Sequence, residues 1–316
     1  MDFCKELGYE DMIKLLDDLS SRSEAVKTSY IGNSIMSRPI PLITLGDKNA
    51  QKSVLYVSTH HAAENVCTSA IMAFVEEYAG AYKKGGKIFG IDIFSLYKMR
   101  KIFVVPMLNP DGVEYRLNGV DESNPIKERV ISYNGGDDFS DWNANARGVD
   151  LNHNYDAYFN EYKEIEKREG ITAGKSKFSG ESAESEPECA ALANFIRYNS
   201  DDIEGIITLH TQGEEIYYKS MGKEPEKSAH IAKVVSRMTG YCLSEAEGTA
   251  SYGGLTDWFI KEFNKPSFTI ECGKGKNPLP SSQILNIYSS LREILFTFPI
   301  LFRKQDGKGP SCFIII

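Results

Sequence analysis

Residues 52–66, KSVLYVSTHHAAENV, decide the fold class. The first half is a short apolar run rich in β-branched and aromatic residues, which reads as a buried strand. From Asn65 the period changes. Val66, Ala70, Phe74 and Tyr78 recur every four residues, with Cys67, Ile71 and Val75 beside them, the pattern of an amphipathic helix. Two adjacent histidines and a glutamate therefore sit where a strand hands over to a helix. The chain has only five histidines, so their placement asks for a chemical reason.

The same alternation recurs along the chain. YEDMIKLLDDLSS predicts a helix over 9–20, and RKIFVVPML a second buried strand that meets the turn tetrapeptide NPDG. Residues 118–146 are polar and rich in Gly, Asn and Asp, and read as a long loop. SEPECAALANFI carries a Ser185-x-x-Glu188 capping box, then Cys189, Leu192, Ala193 and Ile196 on one helical face. GIITLH is a third strand ending at His210. EKSAHIAKVVSRM is helical, with His230 an ordinary helix residue. SFTIECG alternates, Ser267, Thr269 and Glu271 facing one way and Phe268, Ile270 and Cys272 the other. SSQILNIYSSLREILF is a last amphipathic helix. Strands alternating with helices mean an α/β fold whose largely parallel or mixed sheet is covered on both faces. No repeat or low-complexity linker divides the chain. Residues 1–316 read as a single domain, with 1–25 a helical lead-in and 305–316 a tail.

Composition narrows the function. The 316 residues are 41% hydrophobic, enough for a full core, and carry a net charge of −8, which argues against nucleic acid as a partner. The N-terminus has no signal-peptide pattern, and no apolar run approaches the ~18 residues of a membrane span. The six cysteines are scattered, without a Cys-x-x-Cys pair. They read as reduced thiols acting as small buried hydrophobes. The expectation is a cytoplasmic protein with no membrane partner.

In α/β sheets, ligands bind beyond the carboxyl ends of strands. His60, His61, Glu64, Asn109, Asp111 and His210 all lie at or just after predicted strand ends, and should converge on one rim. Two imidazoles and a carboxylate, His61, His210 and Glu64, with a fourth position left for water, form the pattern of a catalytic zinc site. Glu271 is the candidate base, since an unpaired carboxylate in an apolar strand needs a polar cleft or a partner. On physics alone the plain alternative stays open: a hydrogen-bonded core histidine and a salt-bridged glutamate.

The motifs HHAAEN, NPDGVEY, NARGVDLNHN, LHTQGEEIYY and SYGGLTDWF, the last followed by SFTIECG, come in one order across most of the chain. In that order they resemble the zinc metallocarboxypeptidase family. The resemblance implies a twisted mixed sheet of about eight strands flanked by helices. It also implies one zinc ion on His61, Glu64 and His210, and Glu271 as general base and acid. Asn152 then contacts the substrate's terminal carboxylate, and Thr256 lies near the floor of the pocket for the side chain after the scissile bond. A cis peptide bond at Thr211–Gln212 is also implied.

Three departures from the family stand out. His153 replaces the arginine that clamps the C-terminal carboxylate. Asn143 stands at the oxyanion-stabilising arginine, with Arg147 the nearby substitute. Thr249 falls on the mobile tyrosine, with Tyr252 close enough to take its role. WNANARGVDLNHN, HTQGEEIYY and DWFI look like the bacterial γ-D-glutamyl-diaminopimelate peptidases of cell-wall stem peptides. On that resemblance the substrate is a peptide or muropeptide, met in the cytosol or inside a sporulating cell. Glu214 and Glu215 are then candidates to meet an amine of the diaminopimelate. The alternatives are a general cytosolic metallocarboxypeptidase removing C-terminal L-amino acids, and a non-catalytic zinc- or peptide-binding module.

Overall fold

In the computed structural model, which describes residues 5–246 and 248–302, strand β3 (Lys52–Ser58) lies at the centre of the molecule. Its neighbours are β6 (Arg100–Val105) and β7 (Ile203–His210), both parallel to it. β10 (Ser267–Glu271) adds a fourth parallel strand beside β7. Both margins turn antiparallel, with β1 (Val26–Asn33) and β2 (Pro39–Leu45) on one side and β8 (Glu215–Tyr217), followed by β9 (Cys242–Leu243), on the other. The eight-stranded sheet runs β1-β2-β6-β3-β7-β10-β8-β9, and β4 (Lys87–Ile88) and β5 (Ile91–Asp92) form a separate small hairpin. The expected mixed sheet of about eight strands is therefore present.

The continuous apolar run of β3 follows from burial on both faces. Val54 and Tyr56 enter one core with residues of α1 (Tyr9–Arg22), α2 (Val66–Lys84), α8 (Ser228–Thr239) and α10 (Ile284–Thr297), among them Leu16, Phe74, Val235 and Ile294. Leu55 and Val57 enter a second core with Leu192 and Ile196 of α7 (Pro187–Tyr198) and Trp258 and Phe259 of α9 (Leu255–Phe263). Each such side chain contributes about 1.5–3 kcal/mol on burial. Helices α3 (Ile93–Met99), α4 (Pro110–Asn118), α5 (Lys127–Asn134) and α6 (Phe159–Glu169) complete the described set.

Several local expectations are corrected. NPDG is not a free turn. It starts α4 with Pro110 in the first turn, and the Asn109 side chain accepts from Gly112 N–H at 3.0 Å. The stretch 118–146 contains α5. The Ser185-x-x-Glu188 capping box does not form, because Pro187 sets the helix start and Glu188 turns inward to accept from Ile35 N–H. The predicted face of α7 is nevertheless right, with Cys189, Leu192, Ala193 and Ile196 all buried. Cys67, Cys189 and Cys272 are buried free thiols as expected, whereas Cys242 is exposed. Cys4, Cys312 and the 305–316 tail lie outside the described residues. Among the described residues no helix is long and apolar enough to cross a membrane.

Register then positions the chemistry. Glu271 of β10 pairs with His210 of β7, and Ser58 of β3 with Leu209. The carboxyl ends of three parallel strands thus open side by side.

Candidate active site

At the end of β3 the backbone makes an unusual turn. Thr59 has φ of 59°, a conformation that β-branched residues seldom adopt. Its hydroxyl is held by that of Thr68 at 2.8 Å. The turn sends the two histidines in different directions. His60 does not join the rim. It is fully buried, with Nε2 at 3.0 Å from the Tyr155 hydroxyl. His61 opens the short helical turn Ala62–Glu64 and faces the cleft. Asn109 fastens this turn to its surroundings, its amide nitrogen lying 3.0–3.1 Å from the carbonyls of His60, Asn143 and Ala144. Only glycine fits at 112, since a Cβ there would lie 2.3 Å from the Ala144 carbonyl oxygen. Asn143 supports the same turn, accepting from Ala62 and Ala63 N–H.

Three side chains converge as the spacing implied. Nδ1 of His61 lies 3.0 Å from Glu64 Oε1, and Nδ1 of His210 lies 2.9 Å from Glu64 Oε2. One donor atom from each of the three falls within 4.8 Å of the others. Behind His61 stands Asp150, whose Oδ1 is 2.8 Å from His61 Nε2. Asp150 also accepts from the backbone N–H groups of Asn152 and Lys177. Burial opposes its charge, but His61 and these donors outweigh burial and hold the carboxyl well below the usual range. An ionised Asp150 keeps the proton of His61 on Nε2. In the neutral ring, Nδ1 then presents a lone pair to Glu64 Oε1.

Two lone pairs facing each other at 3.0 Å call for a cation between them. Without a metal, a proton fills that place. Burial works against a charge on His61, yet Glu64 and Asp150 lift it well above its usual value. Glu64 drops to about 2, because the two imidazoles outweigh its burial. Two imidazole nitrogens and a carboxylate are a donor set suited to zinc, and the residues fit that ion. The carboxylate behind His61 is the support a metal-bound histidine ordinarily has. Asp150, within NARGVDLNHN, is a functional residue that short-range pattern does not single out. The signal available was an acid in the motif that also supplies Asn152.

Glu271 lies beside this group. It lines a cavity of about 140 Å³ together with His61, His210, Asn152, His153 and Thr256. Burial, then the charge of Glu64, raises its carboxyl well above the usual range. A poised acid/base group needs such a displaced pKa. Asn152 accepts from Leu255 N–H through Oδ1 at 3.2 Å, so its NH2 is the donor left for a ligand. His153 stacks on Tyr162, ring centroids 4.2 Å apart, and its Nδ1 is 2.5 Å from the Tyr252 carbonyl oxygen. That contact makes Nδ1 the protonated nitrogen and Nε2 an acceptor. Burial lowers its pKa further, so position 153 carries a neutral ring. The Thr256 hydroxyl is engaged by those of Ser267 and Thr269 on the cavity wall. Tyr252 packs against Tyr162 and lines a neighbouring cavity of about 200 Å³, whereas Thr249 lines neither.

Two expectations are not met. Arg147 does not reach the reacting centre. Its Nε pairs with Glu186 at 3.0 Å, its Nη2 donates to the Ser185 carbonyl, and it lines a separate cavity with Tyr133 and Phe178. Glu186 is almost fully buried and anchors the guanidinium. Among the described residues no arginine lines the catalytic cavity. Glu214 and Glu215 do not line it either. Glu214 pairs with Lys274 at 2.6 Å, and Glu215 accepts from the Tyr217 hydroxyl at 2.6 Å. The Thr211–Gln212 bond is cis, as the resemblance implied.

Comparison with known proteins agrees with this geometry. The sequence model of the zinc carboxypeptidase family matches residues 12–293. The chain is 35% identical over 282 residues to gamma-D-glutamyl-L-diamino acid endopeptidase 1 of Lysinibacillus sphaericus, covering 89% of this chain and 69% of that protein. It is 35% identical over 273 residues to the uncharacterized protein YqgT of Bacillus subtilis, covering 86% and 71%. Among solved structures, thrombin activatable fibrinolysis inhibitor superposes with a TM-score of 0.70 at 19% identity, over 93% of this chain and 73% of that one. At that identity the likeness speaks for the fold alone. A profile match over nearly the whole chain, joined to two imidazoles and a carboxylate gathered at one strand edge, places this protein in the zinc carboxypeptidase family as a zinc metallopeptidase.

Proposed function

We propose that this peptidase hydrolyses the amide bond between the side-chain carboxyl of D-glutamate and a diamino acid in cell-wall stem peptides. One observation carries the reading: the catalytic cavity has no cationic fork for a C-terminal carboxylate. Position 153 holds a neutral imidazole, and no arginine among the described residues lines the cavity. A peptidase that trims ordinary C-termini relies on bidentate guanidinium contacts to that carboxylate. The name of the Lysinibacillus relative, a gamma-D-glutamyl-L-diamino acid endopeptidase, supports the same substrate class.

His61, Glu64 and His210 would hold the zinc ion. When bound, the metal supplies Lewis-acid polarisation of the scissile carbonyl and an acidified water. Asp150 fixes the tautomer of His61. Glu271 takes the proton of the attacking water and delivers it to the leaving amine, which balances the hydrolysis. Asn152 offers its amide N–H to the substrate, and His153 offers Nε2 as an acceptor. Retention of Glu271 beside the ligand set favours an enzyme over a binding module, since a binder has no use for a base. None of the four described cysteines forms a disulfide, which supports work in a reducing compartment, on peptides that have reached the cell interior.

The test is mass-spectrometric digestion of L-alanyl-γ-D-glutamyl-meso-diaminopimelate beside α-linked peptides ending in L-amino acids, with and without a chelator. Chelator-sensitive release of the diamino acid is expected. Cleavage of the α-linked peptides alone would overturn the reading in favour of a general carboxypeptidase.

A further inference from the structure

Asn277 is a polar residue beside the metal-ligand set to which the mechanism gives no role. It lies in the stretch 272–280, CGKGKNPLP, which follows β10. Both ends of this stretch are fastened. Gly213 N–H donates to the Gly273 carbonyl at 2.9 Å, and Lys274 exchanges two hydrogen bonds with the Gln283 side chain. Leu279 is buried in the core. The amide of Asn277 makes three contacts, which fix the way it points. The Thr211 carbonyl can only accept, so the atom 2.8 Å from it is Nδ2. The Thr211 hydroxyl then donates to Oδ1 at 2.7 Å. These two bonds clamp the amide on the residue that follows His210. The second N–H of Nδ2 faces Glu64 Oε1 at 3.5 Å, a long hydrogen bond.

Glu64 is almost fully buried, and among the described residues the partners of its carboxylate are His61, His210 and Asn277. Both imidazoles approach it through Nδ1. A ring nitrogen that gives its lone pair to a metal donates nothing to a carboxylate. With zinc held, Asn277 is the hydrogen-bond donor that remains to Glu64. A buried carboxylate without such a donor is costly, and carboxylates that ligate metals are ordinarily hydrogen-bonded in turn.

We infer that Asn277, braced by Thr211, is a positioning residue that orients Glu64 as a metal ligand and ties it to the segment carrying His210. Asn277 stands 213 residues from Glu64 and 66 from Thr211. One side chain thus links the ligand delivered by the turn after β3 to the end of β7. Asn277 does not line the catalytic cavity, which separates this role from contact with substrate there. The role is independent of which amide bond the enzyme cuts.

The experiment is zinc competition against a fluorescent chelator on wild type, Asn277→Ala, Thr211→Val, the double variant and Thr211→Ser, with a denaturant melt of each metal-free protein. Folded Asn277→Ala should bind zinc ~10–100-fold more weakly, the usual effect of losing an outer partner of a ligand. Thr211→Val should weaken binding in the same direction but by less, because Nδ2 keeps the Thr211 carbonyl when Oδ1 loses its donor. In the Asn277→Ala background the same change should cost nothing further, since members of one network are not additive. Thr211→Ser keeps the hydroxyl and should match wild type. Zinc affinity equal to wild type in folded Asn277→Ala would overturn the inference, as would fully additive losses in the double variant. A raised KM at unchanged zinc affinity would make Asn277 a substrate contact and overturn it as well. If Asn277→Ala does not fold, the two Thr211 variants decide. Weaker zinc binding in Thr211→Val but not in Thr211→Ser supports the brace, and equal affinities in the two end it.

Discussion

Asp150→Asn is the substitution that separates metal positioning from folding. The carboxylate accepts three buried donors, His61 Nε2 and Asn152 N–H on Oδ1 and Lys177 N–H on Oδ2. Asparagine keeps one acceptor oxygen. In its better orientation that oxygen still faces His61 and Asn152, and the new NH2 confronts the Lys177 N–H. One buried backbone donor is then left unpaired, a loss of about 1–3 kcal/mol of stability. The contact to His61 survives but changes from charge-assisted to neutral, so the imidazole becomes a weaker base. Mutation of such a supporting partner typically lowers metal affinity ~10–100-fold, or ~1.4–2.8 kcal/mol. The assay is zinc competition against a fluorescent chelator, with a denaturant melt of the metal-free protein and activity read at saturating zinc. The folded variant should bind zinc ~10–100-fold more weakly and recover part of its activity when zinc is raised. Zinc affinity equal to wild type in a folded variant would refute the assignment of Asp150.

Three further outcomes follow from the same geometry. Glu271→Gln should keep zinc while kcat falls at least ~10²-fold, in line with general-base contributions; wild-type turnover in that variant would remove Glu271 from the mechanism. Arg147→Ala should leave kcat within about threefold of wild type, since its guanidinium is tied to Glu186 and Ser185 away from the cavity and such distant surface changes are small; a ~10²-fold loss, the size of a missing oxyanion donor, would restore it as one. Glu188 is fully buried, and burial, with Asp111 and Glu186 adding, pushes its carboxyl from 4.5 up to about 8. The folded protein therefore holds a proton there that the unfolded chain releases near 4.5. Stability should fall as pH rises through that window, with a slope of up to ~1.4 kcal/mol per pH unit. Glu188→Gln should flatten the slope in denaturant titrations at several pH values, and an unchanged slope would exclude Glu188 as its source.

Short-range pattern was enough for much of this protein. The unbroken apolar run of β3 and the four-residue period after Asn65 gave strand, turn and helix, and burial on both faces of the sheet is their physical cause. His61 and Glu64 are three residues apart, so one helical turn brings them together whatever the rest of the chain does. The alternation in SFTIECG put Thr269 and Glu271 on the cavity side and Phe268, Ile270 and Cys272 in the core. Other elements were legible in kind but not in bounds, because local chemistry outside the pattern intervened. Pro187 and the inward pull on Glu188 displaced the start of α7, and Pro110 with the Asn109 cap turned an apparent loop into α4.

What tertiary structure alone decided is where isolated polar side chains point. His60 and His61 are adjacent, yet one enters the core beside Tyr155 and the other faces the cleft. Arg147 lies close in sequence to Asn152 yet faces a different cavity, because buried Glu186, 39 residues on, holds its guanidinium. Asp150 became the support of His61 from 89 residues away, and Asp257 lines the pocket while Glu214 and Glu215 do not. Periodicity reports which face of an element is buried, through the hydrophobic effect acting on near neighbours. The partner of a single charge is set by strand register and loop path, which are long-range and leave no period in the sequence.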